Sequence, residues 1–76
     1  MWWLIEYMEW DAFKDEGECI GGFNERNETC TDWNKTLARF NELIKDDNVP
    51  QVYVTTYWGD KVYDEERPYV LTYDAG

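Results

Sequence analysis

One segment of this chain repeats its apolar residues at helical spacing and also carries start and stop signals, and no other feature constrains the fold as much. Trp33, Leu37, Phe40 and Ile44 recur at intervals of four, three and four, the stripe an amphipathic helix lays against a core. Leu43 flanks the stripe, while Asn34, Lys35, Asn41, Glu42 and Lys45 fall on the other side. Thr29, with Asp32 three residues on, fits a capping box. Asn48 suits a left-handed C-terminal turn, and Pro50 stops the helix. The helix is therefore expected over residues 30–46. A chain of 76 residues has room for one domain, residues 1–76, and one core. That core must be built from this helix and whatever the remaining segments form.

The remaining segments read as strands. From Trp2 to Trp10, Trp3, Ile5 and Tyr7 fall on one side of an extended chain, and Trp2, Leu4, Met8 and Trp10 on the other. A helix over residues 6–16 capped by Gly17 competes for this stretch, through the three-residue spacing of Tyr7, Trp10 and Phe13; the strand is preferred. Residues 11–18 are charged, contain Gly17 and read as a loop or wide hairpin. Cys19, Ile20 and Phe23, interrupted by Gly21 and Gly22, read as a short irregular second strand with a bulge or a close backbone approach. Residues 51–58 are β-branched and aromatic, with Val52, Val54, Thr56 and Trp58 on one face and Tyr53, Thr55 and Tyr57 on the other. Gly59-Asp60 matches a two-residue hairpin turn, residues 61–63 start a return strand, and residues 69–73 complete it. The last residues, Asp74 to Gly76, are expected to be loose. The expectation is an α+β fold of order β-β-α-β-β, with a mostly antiparallel sheet of three or four strands packed on one amphipathic helix.

One helix covers one face of a sheet, yet both sides of these strands carry large side chains. If Val52, Val54, Val70 and Thr72 face the helix, then Tyr53, Tyr57, Tyr69, Leu71 and Tyr73 face outward together. Nothing obvious in the chain covers them, and contiguous apolar patches on small proteins mark interaction sites. Aromatic residues are 18% of the chain, and Tyr and Trp are the types most enriched at binding hot spots. Tyr53, Tyr57, Tyr69 and Tyr73 are therefore candidate partner-binding residues. Cover by Trp2, Trp3 or the 11–29 segment, and a homodimer seam, are the competing readings.

Charge narrows the class of partner. Seventeen acidic residues face seven basic ones with no His, a net charge of −10. Such a field repels nucleic acid and anionic membranes and attracts basic protein surfaces; it also serves solubility. An exposed aromatic sheet could stack RNA bases, but here the field has the wrong sign for phosphate. The acids cluster at residues 6–18, at Asp46-Asp47 and at Asp60, Asp64, Glu65 and Glu66 on the last hairpin. Glu9 and Asp11 fall on one strand face about 7 Å apart. Fixed carboxylate arrays can imitate a phosphate backbone. By size and charge alone the chain is similar to small acidic phage proteins that block restriction or CRISPR complexes, although no stretch carries a family motif.

No motif names a reaction or a cofactor. Two thiols without His cannot close a zinc site or serve a catalytic cysteine. The EF-hand and phosphate-loop patterns are absent, and so small a chain leaves little volume for a substrate cleft. No enzyme activity, metal or cofactor is expected. The start Met1-Trp2-Trp3-Leu4-Ile5 has neither a basic lead nor a long apolar run, so the chain reads as cytoplasmic, with free thiols at Cys19 and Cys30 preferred over a single disulfide between them, and with chance sequons at Asn27 and Asn34. The resulting expectation is a small acidic inhibitor, of the phage anti-defence kind (anti-CRISPR or anti-restriction), that blocks the nucleic-acid site of a host complex by charge mimicry. Asp60, Asp64, Glu65 and Glu66 would then make the contact. The alternative is a protein-interaction or homodimeric subunit module docking through the aromatic face.

Overall fold

The fold is seen in a computed structural model that describes residues 1–15, 18–58 and 69–75. Its elements are β1 (Trp2–Asp15), β2 (Glu18–Cys30), α1 (Trp33–Ile44), β3 (Gln51–Tyr57) and β4 (Tyr69–Asp74). They form an α+β fold: a four-stranded sheet in spatial order β2-β1-β3-β4, antiparallel throughout, with one helix. The order β-β-α-β-β is the one expected. Among the described residues no helix is long and apolar enough to cross a membrane.

The first hairpin is longer and more regular than the sequence suggests. β1 runs on through Asp11–Asp15, where a loop was expected, and β2 is a 13-residue strand rather than a short irregular one. Its register with β1 is unbroken from Asp15↔Glu18 to Trp3↔Cys30, so the glycine pair makes no bulge. Cross-strand pairing explains the extension. Trp10 meets Phe23 edge-on with ring centroids 5.0 Å apart. On the opposite face Arg26 lies 3.7 Å from Glu9 and 3.5 Å from Asp11, and Asn24 donates to Asp11. Charges that read as a loop are thus tied across the strands. Gly21 does provide a close approach: a Cβ there would collide with the Trp10 indole, whereas one on Gly22 would meet nothing. A 14-residue strand spans about 46 Å, close to the molecule's long axis of 48 Å. β3 pairs with β1 only over Trp2–Met8, so the rest of the hairpin leaves the sheet body as a two-stranded arm.

That geometry settles one question about the thiols. Cys19 and Cys30 lie on one continuous strand, eleven residues and about 36 Å apart, against the roughly 7 Å between Cα atoms that a disulfide tolerates. They cannot bond to each other. Cys30 is free, and its thiol donates to the Asp32 carbonyl at 3.3 Å.

The helix begins later than the capping box implied. Thr29 and Cys30 are still paired with Leu4 and Trp3 in the ladder, so neither can cap. Asp32 is the N-cap, extended at φ −119° and ψ 123°, and its carboxylate accepts the Lys35 N–H at 3.1 Å. At the other end Lys45 caps in the right-handed conformation, so Asn48 does not play that part; its N–H donates instead to the Asp46 carboxylate at 2.9 Å. Two hydrogen bonds then anchor the exit, Trp10 N–H to the Asn48 carbonyl at 2.7 Å and Ala75 N–H to the Pro50 carbonyl at 2.8 Å. The second ties down a C-terminal stretch expected to be loose.

The core is small: Ile5, Phe40, Leu43, Val49, Val52 and Val54, with Trp3, Tyr7, Ile44, Leu71 and Tyr73 packed against it. The buried helix positions are Thr36, Phe40 and Leu43, not the expected stripe. Trp33 and Leu37 are 38% and 36% exposed. Phe40 belongs to both stripes; the other positions turn about one residue round the helix, because Val49, Val52 and Ile5 lie beneath Leu43 and Phe40. Thr36 is tolerated in the core because its hydroxyl donates to the Asp32 carbonyl at 2.9 Å. Trp33 lies instead against Trp3, ring centroids 5.5 Å apart.

Candidate functional site

The sheet face turned away from α1 carries the side chains of alternate residues: Trp2, Leu4, Glu6, Met8 and Trp10 from β1, with their register partners on either side. Leu4 pairs with Thr29 and Thr55, Glu6 with Asn27 and Tyr53, and Met8 with Glu25 and Gln51. The expected two faces of β1 and β3 are the observed ones.

On β4 the expected facing is overturned. Leu71 pairs with Val54 and Tyr73 with Val52, so both side chains pack against the core on the helix side. Val70 is exposed, and Thr72 pairs with Tyr53 on the outer face. Tyr73 is therefore not part of an outward aromatic surface. Tyr69 is, because the register shifts between Val54 and Thr55: Leu71 and Tyr69, two apart on β4, oppose neighbouring residues on β3. The irregularity reverses the facing of Tyr69 relative to Leu71 and lays its ring against Tyr53, centroids 4.9 Å apart.

The candidate residues thus separate. Tyr53 and Tyr69 form one pair, with Tyr69 53% exposed. Tyr57 stacks on Trp2 at 4.6 Å but is only 9% exposed, so its ring serves mainly to build the face. Thr55, flanked by Tyr53 and Tyr57 along the strand and by Leu4 and Tyr69 across it, is buried. Towards the arm the same face continues into Trp10 and Phe23, 39% and 51% exposed. Asp60, Asp64, Glu65 and Glu66, together with the expected turn at Gly59-Asp60 and return strand at 61–63, lie outside the described residues.

An open groove of about 280 Å³ runs between the Tyr53–Tyr69 pair and β2. Glu6, Met8, Glu25, Gln51, Tyr53 and Tyr69 line it, and so does Arg26, whose guanidinium is engaged by Glu9 and Asp11. Glu6, Glu25, Met8 and Gln51 were not singled out from sequence as site residues. The signal was the shared parity of Glu6 and Met8 on β1, but the partner strand supplying Glu25 could not be registered without the hairpin length.

The acids of the sheet fall into two electrostatic groups. On the helix side Glu28 accepts three hydrogen bonds of 2.8–3.1 Å from Arg39, and a fourth from the Tyr7 hydroxyl at 2.9 Å. The Arg39 guanidinium holds the Glu28 carboxyl below its ordinary range, and Arg39 itself is held firmly protonated. Burial and the adjacent Glu28 charge push the Tyr7 phenol up. Glu9 and Asp11, read from sequence as a pair of phosphate mimics, are both engaged by Arg26. The carboxylates of Glu6 and Glu25, on the outer face, have no hydrogen bond or ion pair among the described residues. Nor, among those residues, do three or more metal-ligating side chains gather. No known family model, curated protein or solved structure matches this chain.

Proposed function

We propose that this chain is a small acidic protein-binding domain that docks onto a basic surface of a partner protein through the helix-free face of its sheet. The observation that carries this is the set of exposed rings on one face, Tyr69 against the half-buried Tyr53 and Phe23 against Trp10. Rigid aromatic side chains cost little conformational entropy to immobilise and supply much of the energy at interfaces. The net charge of −10 selects a basic partner and speeds the encounter. Binding is the whole of the activity in this reading, with neither catalysis nor a cofactor.

A second reading, inhibition of a nucleic-acid-binding host protein by phosphate mimicry, is supported by the same net charge and by the crowding of Asp60, Asp64, Glu65 and Glu66 in sequence. Against it, Arg26 already offsets part of the charge of Glu9 and Asp11.

The two readings part on one titration series, against a partner captured from native cells and identified by mass spectrometry. Aromatic docking expects the double variant Tyr53→Ala, Tyr69→Ala to weaken binding by about 2 kcal/mol or more with the fold intact by circular dichroism. It also expects a salt dependence carried mainly by the association rate, with the dissociation rate changing little between about 0.05 and 0.5 M salt. If the tyrosine changes are silent while the triple charge reversal Asp64→Lys, Glu65→Lys, Glu66→Lys abolishes a steeply salt-dependent affinity, the mimicry reading replaces it.

A further inference from the structure

We propose that the groove beside Tyr53 and Tyr69 is a receptor for one arginine side chain presented by the partner; this rests on the outer face being the docking surface. Three independent features converge on a guanidinium. The first is an aromatic wall: two tyrosine rings with centroids 4.9 Å apart line one side of a groove of about 280 Å³. Guanidinium groups stack on such faces through dispersion and cation–π attraction.

The second is a pair of uncommitted carboxylates. Glu6 lies directly across the ladder from Tyr53, and Glu25 from Met8, the next residue along that face. Positions so related are diagonal neighbours, about 7 Å apart, close enough for one planar cation to reach both. The arginines that are ion-paired within the sheet and helix, Arg26 and Arg39, meet Glu9, Asp11, Glu28 and Glu42. They leave Glu6 and Glu25 without an ion-pair partner among the described residues.

The third is the apolar and amide lining. Met8 can receive the aliphatic stem of the incoming residue, and the Gln51 side chain adds a further acceptor. The chain's charge of −10 favours a cationic occupant over a neutral or anionic one. Arginine fits better than lysine because only a planar, multiply donating group can stack on the rings and bridge two carboxylates at once.

The test uses the whole chain, labelled for NMR and titrated with N- and C-capped arginine, lysine and citrulline. Capped arginine is expected to shift the amides of Glu6, Met8, Glu25, Tyr53 and Tyr69 at millimolar concentration. Capped citrulline, isosteric and neutral, should leave them in place, and capped lysine should bind more weakly. The double variant Glu6→Gln, Glu25→Gln should weaken the arginine response about tenfold. Equal responses to arginine and citrulline, shifts spread evenly over the acidic surface, or no loss in the double variant would each overturn the proposal. This titration needs no partner, so it fails separately from the docking reading. A partner complex weakened by Tyr53→Ala with Tyr69→Ala but indifferent to Glu6→Gln with Glu25→Gln would keep the docking face and remove the arginine site.

Discussion

At the scale of the residue, Glu28 is where three elements meet. It sits on β2, accepts from Tyr7 on β1 and is clamped by Arg39 on α1, whose guanidinium also lies 6.0 Å from the Tyr7 ring centroid. The helix otherwise meets the sheet through Phe40, Leu43 and Ile44 and through Trp33 against Trp3. Because Arg39 keeps the folded-state carboxyl below its ordinary 4.5, the unfolded chain takes up that proton first. The clamp's stabilisation is thus full above about pH 4.5 and disappears as pH falls through the lower folded value. Glu28→Gln should cost about 1 kcal/mol at neutral pH, the pair being partly exposed. It should also flatten the acid side of the stability profile relative to wild type, as read by melting temperature from about pH 7 to 3. Parallel profiles for the two proteins would show that the Glu28 carboxylate contributes nothing to the pH dependence, and superimposed ones that it adds nothing to the fold.

At the scale of the element, the helix poses a choice its own sequence leaves open. Trp33-Leu37-Phe40-Ile44 and Thr36-Phe40-Leu43 are both helical stripes, and only the sheet beneath decides between them. The second makes a sharp stability prediction. Phe40→Ala and Leu43→Ala should each cost about 3–4 kcal/mol, enough to unfold most of so small a domain. Leu37→Ala, at a half-exposed position, should cost under about 1 kcal/mol. Urea titrations of the three variants check this, and a Leu37 variant as damaged as the Phe40 variant would return the helix to its other rotation. β4 poses the same kind of choice. Tyr69 to Tyr73 carries a bulky side chain at nearly every position, so alternation alone cannot say which face turns inward. Pairing with Val52 and Val54 draws Tyr73 and Leu71 to the core, and the shifted register sends Tyr69 the other way.

At the scale of the whole molecule, the fold holds a net charge of −10 with few internal cations. Self-repulsion of that size opposes compaction, and mobile ions screen it. Added salt should therefore raise the melting temperature, by several degrees between about 0.02 and 0.5 M sodium chloride, equivalent to about 1 kcal/mol in a domain of this size. Scanning calorimetry or circular dichroism reads the shift. A melting temperature that falls with salt would mean that the pairs at Arg26 and Arg39 outweigh the general repulsion. The arm formed by β1 and β2 belongs to this scale too, because it extends the aromatic face beyond the sheet body and lengthens any interface built on it.

Taken by itself the sequence determined the order β-β-α-β-β, with three or four strands left open and a strand preferred over a helix for the first segment. It also assigned the faces of β1 and β3 correctly, because apolar period and turn chemistry are local properties that a strand or helix carries with it. The surplus of large side chains over the area one helix can cover pointed to Tyr53, Tyr57, Tyr69, Leu71 and Tyr73 as outward residues; Tyr53 and Tyr69 pair on the outer face, Tyr57 is buried in it, and Leu71 and Tyr73 turn to the core. Only the tertiary structure decided how the elements are rotated and registered. Thr29 looked like a cap until the ladder engaged it; residues 11–15 looked like a loop until they paired with residues 18–22 of β2, with Arg26 and Asn24 meeting Asp11. Glu6 and Glu25 became neighbours only when two distant stretches paired. The reason is that a hydrogen-bond ladder, once started, shares out backbone groups and faces among residues far apart in sequence. Which carboxylate then meets an arginine, and which remains uncompensated beside a tyrosine pair, is a property of register rather than of composition.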